Sequence, residues 1–556
     1  MGPLGRYISL PLRRQPVFFA ALTALLSVAP IWATIFGGGH IYRFMVACVL
    51  ESMTIAYLAS AVLMICRRFS TPLKWLVLAL AAAWAFAECV SIGTTGMPVD
   101  QAVVSLVCDT DAIEVSGFFS RYLGWRAVLA IIALPVYVSL VIAIVLYLRR
   151  IHLVRRVAAI GALAGVAVGA VLICRICTFL PVRTYEDLLV WVGQGSDNPE
   201  LIRYYELNYT PAPVKAAYIS KINRLENRDI TEFDRKQTEI YRTATVTADT
   251  TRRFNMLVII GESMIRRHSS LYGYRLRTNP VLEAERDSGR LVVFSDIMTT
   301  ANYTTTAIRN LLSTADLDRG QRWTDGAYFP MLLKRGGMEV SIFDNQLTDA
   351  RTDTGLGRVL YSPLNLTEVY SAVGDSLFDF DGAFAAYANS RVRPDSLRRQ
   401  CVIYHLKGQH FDAADRFDTD PRFTAADITE PAWLTAAQRQ DIADYDSATF
   451  YNDSVVGALL RPWTNVPTLA FYFSDHGEDI ADLGETGARN RPRPDDPEWV
   501  DRQFHVPFVA WMSPSFQARY PALADTIRQS AGRPESLDHL GEHILSLLGI
   551  DYHLKQ

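Results

Sequence analysis

Beyond residue 177 the chain has a single cysteine. Cys48, Cys66, Cys89, Cys108, Cys174 and Cys177 fall in the first third and only Cys401 in the rest, so the rest holds no internal disulfide and takes its stability from an ordinary core. Net charge is equally sparse: 55 Lys and Arg against 58 Asp and Glu leave −3 over 556 residues, with no long basic run. That balance argues against nucleic acid as a partner. Charged residues make up 20% and hydrophobic ones 50%, which is too apolar for a wholly soluble enzyme. Part of the chain belongs in lipid, and its length allows more than one domain.

The apolar residues collect in five segments, Pro16 to Phe36, Ile41 to Cys66, Leu73 to Ile92, Ala127 to Leu148 and Val157 to Cys177. Each is near the roughly 20 residues needed to cross a bilayer, so five transmembrane helices are expected over residues 1–180. Arg6, Arg13 and Arg14 precede the first span, but further spans come after it, which reads as a retained anchor and not a cleaved signal peptide. Arg67, Arg68 and Lys74 separate spans two and three; Arg149, Arg150, Arg155 and Arg156 separate spans four and five. The positive-inside rule puts these loops in the cytoplasm. Everything after about Leu180 then lies on the opposite side, in a bacterium the periplasm. Residues 181–250 read as an interfacial segment and linker, with Trp191, Tyr204 and Tyr205 suited to the headgroup level.

From residue 251 onward, strand and helix patterns alternate, which predicts an α/β domain over 251–556. Two short apolar runs end on carboxylates: Met256–Ile260 leads to Gly261-Glu262-Ser263, and Thr468–Phe473 leads to Ser474-Asp475-His476-Gly477-Glu478. Open α/β sheets carry their sites at such carboxyl ends, and carboxylate oxygen with imidazole nitrogen suits a borderline divalent ion such as zinc. Alone, an Asp-His pair after a strand is most simply a polar turn. The other pieces give it weight. A hydroxyl-rich loop from Ser295 runs into an amphipathic helix near Thr304, where free N–H groups favour a phosphate, although a threonine N-cap explains the same pattern. Strands Met338–Phe343 and Cys401–Tyr404 precede His405 and His410, His505 precedes Val506–Trp511, and Ser536 to Leu548 reads as a closing helix. The loop between spans three and four carries Thr110 and Glu114, on one face if it is helical.

Taken in order, five apolar spans, a linker, Gly261-Glu262-Ser263, Leu271-Tyr-Gly-Tyr274 with Thr278-Asn-Pro280, the Thr304 loop and helix, Phe343-Asp-Asn-Gln346, His405 to His410 and Ser474-Asp-His-Gly-Glu478 resemble the membrane-bound bacterial phosphoethanolamine transferases of the alkaline phosphatase and sulfatase superfamily. The resemblance implies a sulfatase-like fold in which Glu262, Thr304, Asp475 and His476 bind zinc and Thr304 is the nucleophile. It further implies that Thr110 and Glu114 line a phosphatidylethanolamine headgroup site. His405 and His410 would steady phosphoryl oxygens, bind a second zinc or protonate a leaving group. The family's Leu-His-Gly element after the Asp-His pair is replaced by Gly487-Ala-Arg-Asn490, which leaves His505 or Arg489 to complete the substrate side. The implied reaction is transfer of phosphoethanolamine from phosphatidylethanolamine through a phosphothreonine intermediate, releasing diacylglycerol. The acceptor would be lipid A, the lipopolysaccharide core or another envelope glycan, and the enzyme would be multi-pass in the inner membrane. A phosphoglycerol transferase, a sulfatase and a non-catalytic membrane sensor are the competing readings; a sulfatase would need Cys or Ser where Thr304 stands.

Overall fold

The computed structural model describes residues 7–36, 42–66, 69–95, 98–99, 125–150, 152–178, 209–346, 368–371, 378–410, 412–480, 482 and 496–554. The chain divides into two compact units, Met1–Leu225 and Glu226–Gln556.

The first unit is helical. Met45–Ile65, Ser70–Thr94 and Trp125–Leu148 are each long and apolar enough to cross a membrane. The first expected span is two helices, Pro16–Leu26 and Val28–Ile35, bent by 51°. Pro30 accounts for the break: it brings no N–H, and its ring displaces the carbonyl four residues back, at Leu26. The Ser27 hydroxyl donates to the Thr23 carbonyl at 2.8 Å and takes up part of what the bend frees. The fifth expected span lies in the helix His152–Thr178, of which Ile160–Cys174 is the apolar part. Within this unit Lys215 and Glu88, both buried, form an ion pair. Glu88 also accepts the Trp84 indole N–H at 2.9 Å and the Val99 N–H at 2.9 Å. A charge in apolar surroundings is tolerated when its lone pairs are taken up in this way. The stretch expected as a linker contains the helix Ala212–Thr243.

The second unit is built on strands β1 (Thr245–Ala248), β2 (Asn255–Gly261), β3 (Leu291–Phe294), β4 (Ile297–Met298), β5 (Glu339–Asp344), β6 (Glu368–Ser371), β7 (Gln400–His405), β8 (Thr468–Ser474), β9 (Phe508–Met512), β10 (Glu535–Ser536) and β11 (Ile550–His553). Seven of them form one sheet in the order β3-β9-β8-β2-β7-β5-β6, with β1-β11 and β4-β10 as separate pairs. β2 runs parallel to both β7 and β8, while β9 is antiparallel to β8.

Every residue of β2 and β8 is buried, the pattern of strands covered on both faces. In β2, Met256, Val258 and Ile260 enter one core with Phe471, Phe473 and Ile544. Leu257 and Ile259 enter the opposite core with Tyr404, Val456 and Trp463. The second core rests on the helix Ala436–Leu460, started by a capping box in which Thr435 and Gln438 exchange hydrogen bonds. The closing helix is shorter than its sequence suggests, a 3₁₀ turn at Leu537–His539 followed by Leu540–Leu547.

Strand register aligns the residues just past the sheet. Gly261 pairs with Ser474 and Ile260 with Phe473, so Glu262 and Asp475 leave adjacent strands at the same level. On the other side of β2, Ile260 pairs with His405. Since Ile259 is fully buried in the central strand, Ile259→Ala should destabilise the 226–556 unit by about 2–5 kcal/mol. A urea titration reads this as a lower midpoint with an unchanged slope.

Candidate metal centre

Glu262, Asp475 and His476 are all buried, and their ligand atoms lie within 4.8 Å of one another. His476 Nε2 is 3.2 Å from Glu262 Oε1 and 3.3 Å from Asp475 Oδ2. Thr304, the first residue of the helix Thr304–Leu312, donates its hydroxyl to Glu262 Oε2 at 3.0 Å and lies 3.2 Å from His476 Nε2. The four residues singled out in the sequence therefore meet at one point. The neighbouring Thr306 hydroxyl is taken by Arg309, 3.3 Å away.

The surroundings orient these groups. His476 Nδ1 lies 2.7 Å from the Gly477 carbonyl; a ring N–H donated there leaves the Nε2 lone pair facing Thr304 and the carboxylates, the tautomer a metal ligand needs. Ser263 Oγ donates to Glu262 Oε1 at 2.8 Å and Gln346 Nε2 to Glu262 Oε2 at 2.9 Å. Ser263 has φ 58°, the only non-glycine residue with positive φ among those described, a conformation costing on the order of 1–3 kcal/mol. The Tyr445 hydroxyl holds it, donating to the Ser263 carbonyl at 2.6 Å and accepting from the Ile265 N–H at 2.7 Å.

Two glycines are required by close approach. At Gly477 a Cβ would stand 1.6 Å from the Arg502 carbonyl oxygen. Gly408, at φ 51°, would put one 2.7 Å from the Glu262 nitrogen. The Gly408 loop is pinned by buried Asp381, which accepts from the Lys407 and Gly408 N–H groups at 3.0 and 2.8 Å.

Charge is the open account at this centre. Burial, and then the Glu262 carboxylate, push the Asp475 carboxyl above its ordinary value. Asp475 Oδ2 is buried and accepts no hydrogen bond. A buried carboxylate oxygen without a donor is costly, and one imidazole nitrogen with carboxylate and hydroxyl oxygens is a zinc-type donor set. The residues fit that ion.

His405, at the end of β7, is buried and takes Asp344 Oδ1 at 3.0 Å on Nδ1, while its Nε2 has no hydrogen-bond partner. Burial works against its protonation, but the bond to Asp344 and that residue's charge outweigh it and raise the His405 pKa. His410 ends the same loop, its N–H donating to the Lys407 carbonyl at 3.0 Å. His505 is held between two carboxylates, Asp501 Oδ1 at 3.0 Å and Asp296 Oδ1 at 3.2 Å. Thr110, Glu114 and Arg489 lie outside the described residues. Sequence reasoning assigned no role to Ser263, which acts on its neighbour Glu262, or to Gln346 and Tyr445, whose partners are distant in sequence.

A mainly parallel sheet whose strand ends gather two carboxylates and an imidazole beside a threonine at a helix start defines an α/β domain with a candidate metal site at the carboxyl end of its sheet. The chain belongs to the Sulfatase family, whose profile matches residues 254–550. Its curated relatives include phosphoethanolamine transferase EptC of Escherichia coli O18:K1:H7 strain RS218, 28% identical over 53% of this chain and 51% of that protein. Against that relative the chain spans about half of the partner's length. Phosphoethanolamine transferase CptA of Salmonella typhimurium strain LT2 is 25% identical over 82% of this chain and 76% of its own. Among solved structures, the integral membrane lipooligosaccharide phosphoethanolamine transferase A (EptA) of Neisseria meningitidis superposes with a TM-score of 0.60 at 16% identity, over 97% of this chain and 96% of that one. That likeness is one of fold.

Below the centre, His268 is buried between Asp446 Oδ1 at 2.7 Å and Asp482 Oδ2 at 3.1 Å. Burial alone would lower its pKa, yet the two carboxylates carry it up to about 9. Raised above its unfolded value of about 6.5, His268 contributes stability that is complete below about pH 6.5 and is lost as pH rises through about 9. Melting of the 226–556 unit between pH 6 and pH 10 should show this decline, and His268→Gln should flatten it. A decline that persists undiminished in the variant would assign it to other groups.

Proposed function

We propose that the protein is a zinc-dependent transferase that moves phosphoethanolamine from phosphatidylethanolamine to an envelope acceptor, lipid A, the lipopolysaccharide core or another glycan. The observation that carries this reading is the convergence of Thr304 Oγ1 on Glu262 and His476 at 3.0 and 3.2 Å, in a chain whose relatives are named phosphoethanolamine transferases. The apolar helices support a lipid donor. On this reading there are five spans within residues 1–180: three single helices, the bent pair, and the helix His152–Thr178. Residues 181–250 join them to a catalytic domain, 251–556, on the periplasmic side of the inner membrane, as the Arg-rich loops near Arg67 and Arg150 require.

Glu262, Thr304, Asp475 and His476 would hold the zinc. Bound there, the ion supplies a Lewis acid that lowers the pKa of the threonine hydroxyl. Glu262 Oε2, already the acceptor of that hydroxyl, orients it and draws its proton. Thr304 Oγ forms a bond to phosphorus as the bond from phosphorus to the diacylglycerol oxygen breaks, and that oxygen leaves with a proton delivered by His405 or His410. The first-turn N–H groups of the Thr304 helix, which have no acceptor within the helix, receive the phosphoryl oxygens. An acceptor hydroxyl then attacks phosphorus and gives its proton to the histidine that protonated the diacylglycerol oxygen, while the bond to Thr304 Oγ breaks and the threonine regains its proton from Glu262. Thr110, Glu114, His410 and His505 are assigned to the substrate side, with Glu114 as the anion for the ethanolammonium.

Incubation of the purified protein with a phosphatidylethanolamine analogue and no acceptor should add one phosphoethanolamine to the peptide spanning Asp296 to Ser313, seen by mass spectrometry. Thr304→Ala should abolish the adduct, whereas Thr305→Ala and Thr306→Ala should keep it, since their side chains turn away by roughly 100° per residue. A label that survives Thr304→Ala would give the role to another nucleophile.

Zinc analysis is the companion test. Glu262→Ala or His476→Ala should lose metal from this centre and activity together, the metal by at least a factor of about ten in affinity; unchanged affinity in both would dismiss the ligand set.

A further inference from the structure

Two buried amides meet two residues before Thr304. Asn302 and Gln503, 201 residues apart in the chain, are both fully buried, and Asn302 Nδ2 donates to Gln503 Oε1 at 3.3 Å. Gln503 also reaches the other half of the centre, because its main-chain carbonyl accepts the N–H of Gly477 at 2.9 Å. One residue thus holds the turn that carries His476 by its backbone and the loop that carries Thr304 by its side chain. Its neighbours hold the start of that loop. The Thr299 N–H donates to the Phe504 carbonyl at 2.8 Å, and the Val506 N–H to the Ile297 carbonyl at 3.0 Å. The Asn302 amide carries this hold to within two residues of the hydroxyl.

The chemistry at Thr304 requires such a hold. In the structure the hydroxyl donates to Glu262 Oε2 at 3.0 Å, but that bond ends when the proton leaves and Oγ turns to phosphorus. Tyr303, at the N-cap of the Thr304 helix, supplies no side-chain cap. The bond between the two amides involves neither the proton nor the oxygen that react, so it persists through the transfer. Gln503 is moreover kept against the interest of stability. Its Nε2 is buried and, among the described residues, has no hydrogen-bond partner. A buried donor left unsatisfied destabilises a fold, and a methionine of similar length would fill the space without one. A residue that breaks such a local rule is expected where function sets the choice.

We propose that Gln503 is a positioning residue for Thr304. Acting through the Asn302 amide, it fixes the hydroxyl loop against the Asp475-His476 turn, so that Oγ keeps its place after its proton has left. The inference rests on the reading of Thr304 as the nucleophile and assigns Gln503 no ligand, proton or substrate contact of its own.

The test is single-turnover labelling of the zinc-loaded full chain in detergent by the phosphatidylethanolamine analogue, followed to completion. Loss of folded protein lowers the final extent of labelling. A misplaced Oγ lowers the rate constant and leaves the extent unchanged. Gln503→Met and Asn302→Ala should each lower the rate constant at saturating analogue by about 10–100-fold, the scale of a misplacement near 1 Å. Zinc per chain and the final extent should match wild type. Since the two residues act through one bond, the double variant should be about as slow as the slower single one, whereas independent effects would multiply to a loss of about 100-fold or more. An unchanged rate constant in either variant, a change confined to the final extent, or effects that multiply would overturn the proposal. Wild type that carries no label on Thr304 would overturn the nucleophile itself; labelled wild type whose rate constant survives Gln503→Met would overturn the positioning role alone.

Discussion

The parallel pairing of β2 with β8 is the constraint on which the centre depends. Opposing Gly261 to Ser474 sets Glu262 beside Asp475, and a slip of one residue would turn the slipped strand's side chains to the wrong faces. Such a slip would be severe, because each strand is buried on both sides and alternate residues fill two separate cores. The hydrophobic effect thus fixes the position of two carboxylates that it would by itself exclude.

Close packing does the remaining alignment. Ser263 turns through a left-handed conformation directly after Glu262, so the chain leaves the sheet sharply and the carboxylate stays at the strand end. The turn persists because Tyr445, from a helix some 180 residues later, bonds to groups on both sides of it. The Asp475-His476 turn is tied from outside the sheet as well. The Thr299 hydroxyl donates to the Asp475 carbonyl at 2.6 Å, and the Gly477 N–H donates to the Gln503 carbonyl at 2.9 Å. Thr299 precedes the Thr304 helix by five residues, so one hydrogen bond couples the loop before that helix to the turn carrying Asp475 and His476.

Much of this was legible in the sequence because it is local. Apolar runs ending in Gly-Glu-Ser and Ser-Asp-His-Gly announce strands and the polar turns at their carboxyl ends, and β2, β5, β7 and β8 fall within a residue or so of expectation. The reversed direction of β9 was not legible, since Phe-Val-Ala-Trp-Met reads alike either way; direction is decided by pairing with β8. The bend after Leu26 had a local signal in Pro30, masked by the uniform hydrophobicity around it. The roles of Tyr445, Gln346 and Asp381 had none, because their partners lie 26 to 182 residues away.

Three buried acid-imidazole sites in the same domain differ in how their charge can be balanced, and the difference bears on the cation proposed at His476. At His405, one imidazole meets one carboxylate, Asp344, and a proton on the ring balances the pair. At His268, one imidazole stands between Asp446 and Asp482, but Arg502 also pairs with Asp482 and the Tyr274 hydroxyl donates to Asp446 at 2.7 Å, so two positive groups and a donor meet two negative ones. At His476 the count differs. Glu262 and Asp475 both crowd Nε2, and the hydroxyl and amide donors to Glu262 bring no charge. A protonated ring there would leave one negative charge buried, and a neutral ring would turn its lone pair toward oxygens that are also lone-pair donors. Of the charge states open to these side chains, two carboxylates with a neutral imidazole and a polarised hydroxyl is the set that a doubly charged cation neutralises in full, and it is also the set in which Thr304 is most readily made a nucleophile.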